Sequence, residues 1–169
     1  MKQTRLAFIG AGNMARSLIG GLIADGWDPA GISVADPDTA QLSAVASRFR
    51  VRTGTDNHQV VADSEVVVLA IKPQTMREVA VDLARDIRQH KPLVISVAAG
   101  IRSRDLDRWL GGDCNLVRCM PNTPALVLSG ATAMFATAAV SSDHRDLAEN
   151  ILRAVGLALW VDDEQQLDA

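Results

Sequence analysis

The sequence has no tyrosine and only three phenylalanines and three tryptophans. Binders that stack bases need aromatic platforms, which this composition does not supply. Basic runs are also missing. Seventeen Lys and Arg stand against twenty Asp and Glu, for a net charge of −3, and the cations are scattered. Such a chain cannot track the phosphates of DNA or RNA, so no nucleic-acid partner is expected. Long apolar runs are absent too. Met1-Lys2-Gln3-Thr4-Arg5 leads into an apolar stretch too short for the core of a signal peptide, and no segment approaches a membrane span. The two cysteines, Cys114 and Cys119, make no disulfide framework and read as reduced thiols of a cytoplasmic protein. His58, His90 and His144 have no ligand-like spacing, so no metal is expected.

What is present is an α/β pattern. Of the 169 residues, 48% are hydrophobic, mostly Ala, Val, Leu and Ile, enough for one packed domain. Apolar strand-like runs alternate with helical segments. Arg5–Ile9 reads as a first strand, followed by glycines and a helix over Asn13–Asp25 with Met14, Leu18 and Leu22 on one stripe. Ile32–Ala35 is a second strand, Thr39–Phe49 a helix and Val51–Thr53 a brief strand. Val66–Ile71 is apolar without alternation, as in a parallel strand buried on both faces. Pro73 suits a first helical turn, and a helix runs over Gln74–Arg88. Leu93–Val97 and Leu116–Met120 are further strands, separated by a short helix that Ser103 is expected to cap and that ends near Leu110. Ala131–Ala136 and Leu157–Val161 flank a helix over Ser142–Ala154, and a polar stretch closes the chain. The alternation predicts a mostly parallel, doubly wound sheet with helices on both faces.

The first strand ends in Gly10-Ala11-Gly12-Asn13-Met14-Ala15, a G-x-G-x-x-A turn opening an amphipathic helix inside a βαβ unit. Gly10 permits a tight turn. Gly12 lets the backbone approach a pyrophosphate, and Ala15 keeps helix and strand close. The helix start offers N–H groups and partial positive charge. In this setting the turn makes the fold Rossmann-type and points to a nicotinamide dinucleotide. Asp36 ends the second strand, roughly 20 residues beyond the glycines, where an acid accepts from the adenosine ribose. That reading tilts toward NADH, since a carboxylate repels a 2′-phosphate and no Arg adjoins Asp36 in sequence. Its rival is a turn-forming Asp before Pro37.

Four segments carry a more specific pattern. They are Phe8 to Ala15, Ala70-Ile71-Lys72-Pro73-Gln74, Ser96-Val97-Ala98-Ala99-Gly100-Ile101, and Arg118-Cys119-Met120-Pro121-Asn122-Thr123-Pro124-Ala125. Their order and spacing resemble those of pyrroline-5-carboxylate reductases. The last segment, with Gly130-Ala131-Thr132 after it, is the most specific, and the resemblance covers essentially the whole chain. It implies hydride transfer from a nicotinamide to the C5=N imine carbon of 1-pyrroline-5-carboxylate, giving L-proline. Residue by residue, it implies that Gly10, Ala11, Gly12, Asn13, Met14 and Ala15 face the pyrophosphate, that Asp36 adjoins the ribose and that Asn57 lies near the cofactor. It implies that Ala70, Ile71, Lys72 and Pro73, with Ala98, Ala99 and Gly100, flank ribose and nicotinamide, while Met120, Pro121, Asn122 and Thr123 face the substrate. The family often uses NADPH, against the tilt set by Asp36, so NADP and NAD both stand as cofactors.

The resemblance further implies a second, helical domain that completes the substrate site and builds a homo-oligomer. Residues 1–163 then form the dinucleotide-binding domain and 164–169 the start of a linker toward the domain missing here. On physical grounds the strand-end loops are well chosen, because ligands of open parallel sheets sit beyond the carboxyl ends of the strands. Lys72, the one cation in the second and third of these segments, reads as attracting phosphate or carboxylate, or as a solvated lysine. Asn122 reads as a donor to nicotinamide or substrate, or as an Asx turn between prolines. No general acid appears in a loop assigned to the nicotinamide end, so no catalytic residue is named. The rival readings are another enzyme with the same first domain, such as a β-hydroxyacid dehydrogenase or an F420-dependent NADP reductase, and a dinucleotide-sensing module without catalysis. The segment from Arg118 to Ala125 argues against the two rival enzymes.

Overall fold

A computed structural model describes residues 3–121 and 130–168. Its strands are β1 (Leu6–Ile9), β2 (Ile32–Ala35), β3 (Arg52–Gly54), β4 (Val66–Leu69), β5 (Leu93–Ser96), β6 (Asn115–Pro121), β7 (Gly130–Ala136) and β8 (Gly156–Trp160). They form one sheet in the order β3-β2-β1-β4-β5-β6-β7-β8. All neighbours run parallel except β6 and β7, which pair antiparallel from Val117↔Ala136 to Pro121↔Thr132. The expected doubly wound sheet is therefore present, with a two-strand extension beyond β6.

The helices are α1 (Asn13–Ala24), α2 (Thr39–Phe49), α3 (Asn57–Ala62), α4 (Pro73–His90), α5 (Ser103–Trp109) and α6 (Ser142–Leu152). One core packs Phe8, Val68 and Ile95 of the sheet against Leu18 and Leu22 of α1, Leu42 of α2 and Ile151 of α6. The opposite core packs Ile9, Val67 and Leu116 against Val61 of α3, Met76 and Leu83 of α4 and Leu106 of α5. Val66, Val67, Val68 and Leu69 are all fully buried, which explains why β4 is apolar at every position. Burial of each such side chain stabilises by about 2 kcal/mol. β8 ends the sheet, and its Leu157 and Leu159 are exposed.

Several elements differ from the sequence reading. The strand expected over Val66–Ile71 stops at Leu69, and the chain bends at Ile71 before Pro73 opens α4. α3 was not anticipated. It is one short turn and a half, capped by Asp56, whose carboxylate accepts from the His58 amide at 3.0 Å. Ser103 does not cap α5: the N-cap is Arg102, and no side chain of that residue caps the helix. The Ser103 amide and hydroxyl instead donate to the Glu164 carboxylate, each at 2.6 Å. The polar stretch expected to start a linker is, over Glu164–Asp168, a 3-10 turn with Leu167 buried against the domain. Among the described residues no helix is long and apolar enough to cross a membrane.

Candidate functional site

β1 and β4 meet where the strand order reverses, and Gly10 sits at that point. Its amide donates to the Ala35 carbonyl at 2.8 Å, and the Ala70 amide donates to the Ile9 carbonyl at 2.8 Å. Gly10 has φ +106°, and a Cβ there would lie 2.2 Å from the Ala70 carbonyl oxygen, so only glycine fits. Gly12 is different. Its φ of −80° suits any residue, and a Cβ would meet nothing within 4 Å. Neither backbone strain nor packing explains a glycine there. The open space lies over the start of α1, which no side chain caps and whose first turn holds no acid. Unpaired amides and the partial positive charge of a helix start make this a cradle for an anion. Ala11 and Ala15 are fully buried and act by packing helix against strand. Asn13 is exposed and Met14 half-buried at the rim.

Asp36 ties this turn to the end of β2. Its Oδ2 accepts from the Ala11 amide at 2.9 Å, and its Oδ1 accepts from the Asp38 amide at 2.8 Å. The turn-forming reading is therefore present in the geometry. Each carboxylate oxygen keeps a further lone pair, so ribose hydroxyls are compatible with it. Beside it opens a cleft of about 500 Å³ lined by Gly10, Asp36, Pro37, Thr55, Asn57 and Ile71 and by Thr75, Glu78, Val79 and Asp82 of α4. Four residues chosen from sequence, Gly10, Asp36, Asn57 and Ile71, thus share one cleft. The α4 wall was missed. Thr75, Glu78 and Asp82 recur at helical spacing, a signal that also describes any solvated helix face.

Lys72 is the N-cap of α4, with Pro73 as the first helical residue. Its side chain is exposed and does not line the cleft. Its carbonyl accepts from the amide and the hydroxyl of Thr75, both at 3.1 Å. Beyond β5, Ala98 is buried and donates to Ser96 Oγ at 3.4 Å, while Ala99 and Gly100 are exposed. Met120 and Pro121 end β6, half-buried. Asn122 and Thr123 lie outside the described residues.

Sequence reasoning passed over Arg118 as an ion-pair centre. Its side chain is 1% exposed, and it pairs with Glu164 at 3.0 Å and Asp168 at 2.6 Å. Burial pushes the Glu164 carboxyl up, but the Ser103 hydrogen bonds and the Arg118 guanidinium outweigh it and hold it below its ordinary value. The hydrogen bond from Arg118 likewise holds Asp168 low. A lone arginine in the apolar run of β6 was the available signal, because a charge buried in a sheet requires a partner. The two thiols do not suit nucleophilic work. Burial, with Asp107 nearby, pushes Cys114 up to about 12, and burial alone pushes Cys119 up. Among the described residues no group of His, Cys, Asp or Glu is placed to hold a metal.

Comparison with known proteins places this geometry among relatives. Residues 5–100 match the model of a family described as NADP oxidoreductase, coenzyme F420-dependent. A pyrroline-5-carboxylate reductase of Pseudomonas aeruginosa is 48% identical over 169 residues, covering all of this chain and 62% of that protein. The structure of a pyrroline-5-carboxylate reductase from Coxiella burnetii superposes with a TM-score of 0.96 at 42% identity, covering 98% of this chain and 62% of the other. A pyrroline carboxylate reductase of Plasmodium falciparum, solved with NADP bound, shares the fold at a TM-score of 0.86 and 20% identity, over 98% of this chain and 60% of that one. The chain thus spans about three fifths of the length of these relatives.

Proposed function

This chain belongs to the family of coenzyme F420-dependent NADP oxidoreductases, and we propose that it is the dinucleotide-binding half of a pyrroline-5-carboxylate reductase. The observation that carries the reading is the reach of the similarity. The family model ends at residue 100, whereas the Pseudomonas reductase matches the entire chain, including β6 and the segment from Arg118 onward. The hydride partner that the family description names therefore weighs less than the imine substrate that the relatives' name implies.

The cofactor is NADP or NAD, and the residues fit it. The open space over Gly12 and the uncapped start of α1 accept a pyrophosphate. Asp36 and the cleft toward Asn57 and α4 accept the adenosine end. The loops after β4 and β5 flank the nicotinamide end, with Met120 and Pro121 at the end of β6 toward substrate. A bound reduced nicotinamide supplies the hydride for the imine carbon. The chain's part is to orient it, since hydride transfer to a protonated imine depends on positioning more than on an acid. The remaining two fifths of a full-length relative would wall the substrate side and build the homo-oligomer.

Titrating the chain with NADH and NADPH by nicotinamide fluorescence tests this reading. Gly12→Val fills the space over α1 and is expected to weaken both cofactors by about tenfold or more, because the backbone approach is lost. Equal affinity in variant and parent would overturn the proposal.

A further inference from the structure

The sequence places no arginine next to Asp36, yet the fold brings one to the same corner. Arg16 lies one turn into α1 and is half-buried. Its Nε donates to the Ala11 carbonyl at 3.1 Å, and a terminal guanidinium nitrogen donates to the Gln41 side-chain oxygen. Ala11 is the residue whose amide Asp36 holds, and Gln41 belongs to the first turn of α2, directly after the Asp36-Pro37-Asp38 turn. The guanidinium therefore spans from the glycine turn to the start of α2, along the outer edge of the ribose end.

Its chemistry there is unusual for a half-buried charge. Arg16 forms no ion pair among the described residues, and both of its acceptors are neutral oxygens. A partly desolvated cation with neutral acceptors only remains free to gain from an anion. The two carboxylates of this corner are already engaged by backbone donors. Asp36 is held by the Ala11 and Asp38 amides, and Asp38 accepts from the Ala40 and Gln41 amides at 3.0 and 3.3 Å. Two fixed guanidinium donors give Arg16 a set direction rather than a solvated sweep.

Building on the dinucleotide reading above, we infer that Arg16, steadied by Gln41, is a specificity-determining residue that accepts the 2′-phosphate of NADPH and offsets the repulsion from Asp36. The phosphate approaches from the α2 side of the turn, and the guanidinium keeps its hold on the Ala11 carbonyl while a free N–H reaches the new oxygen. This makes the corner two-signed: Asp36 favours a ribose with free hydroxyls, and Arg16 favours one carrying phosphate.

The test is the NADPH/NADH affinity ratio in the parent chain, Arg16→Ala and Arg16→Lys, measured by nicotinamide fluorescence at two salt concentrations. Arg16→Ala is expected to lower the ratio about tenfold, the size of one lost hydrogen bond to a charged group. Arg16→Lys keeps the charge without the fork and is expected to lower it by less. The parent's ratio should fall as salt rises, and that of Arg16→Ala should be flatter. A direct check on the parent alone compares adenosine 2′,5′-bisphosphate with 5′-AMP, and tighter binding of the bisphosphate is expected. An unchanged or raised ratio in Arg16→Ala, or 5′-AMP binding as tightly as the bisphosphate, overturns the inference while leaving the dinucleotide reading standing. Failure of the parent to bind either dinucleotide overturns that reading and this one with it.

Discussion

At the scale of single residues, the two glycines of the turn and the acid of β2 show how differently a sequence speaks. The sequence argument gave Gly10 and Gly12 separate reasons, and the geometry separates them. Gly10 is compelled by positive φ and by the Ala70 carbonyl, whereas Gly12 borders open space. Asp36 was ambiguous in sequence because a turn and a ribose acceptor need the same carboxylate after the same strand. Both of its oxygens hold backbone amides, which a motif cannot reveal, since one of the donors lies 25 residues away in sequence. Its charge still faces any phosphate brought to that corner. Asp36→Ser is expected to shift preference toward NADPH by on the order of 1 kcal/mol, as for a partly screened charge pair. The measurement is the ratio of NADPH to NADH affinity, which cancels any general loosening of the turn. A shift toward NADH would leave Asp36 as a turn residue only.

At the scale of elements, periodicity made the long helices and the buried strands legible, and α3 and the α5 cap illegible. α3 is too short to show a stripe, and its Asp56-Asn57 start drew notice only for its possible cofactor role. Glu164 caps α5 from 61 residues away, beyond the reach of any local capping rule. α3 is held to α4 by His58, whose ring nitrogens face two α4 carboxylates one turn apart, Asp82 at 2.9 Å and Asp86. The hydrogen bond with Asp86, opposed by burial and aided by the charges of Asp82 and Asp86, raises His58 above its ordinary value. Because the folded value is raised, this clamp stabilises fully below the unfolded value of about 6.5 and is lost as pH rises through the folded value. Asp82 is open to solvent and His58 and Asp86 are half-buried, so screening keeps the effect small. Urea unfolding across that window is expected to show stability declining with pH, and His58→Gln is expected to flatten this part of the profile. An identical profile in the variant would show that His58 does not carry the dependence. Asp82 also lines the cleft, so release of the clamp bears on the adenosine wall as well as on stability.

At the scale of the whole molecule, the alternation of strands and helices was enough to read a doubly wound sheet, and the switch point between β1 and β4 follows from it. The direction of β7 and the docking of the last turn were not readable, since both depend on long-range pairing. The Arg118 pairs with Glu164 and Asp168 make that last turn part of the domain at the carboxyl end of the sheet, near the loops assigned to the nicotinamide. A dinucleotide domain, however, fixes only one of two reactants. Holding an imine carbon in line with a hydride and keeping water out lowers the barrier by several kcal/mol, up to about 7–11 in well-oriented systems. The described residues wall the cleft from the side of the sheet and α4, and the chain spans 62% of the relative that it matches throughout. The chain as given is therefore expected to bind dinucleotide while forming proline at no more than a few per cent of the rate of a full-length relative. The assay is proline formation from pyrroline-5-carboxylate with saturating NADPH or NADH, run on both proteins at equal concentration. Comparable turnover would mean that the strand-end loops alone orient both reactants, and that the additional length of the relatives serves assembly rather than the substrate site.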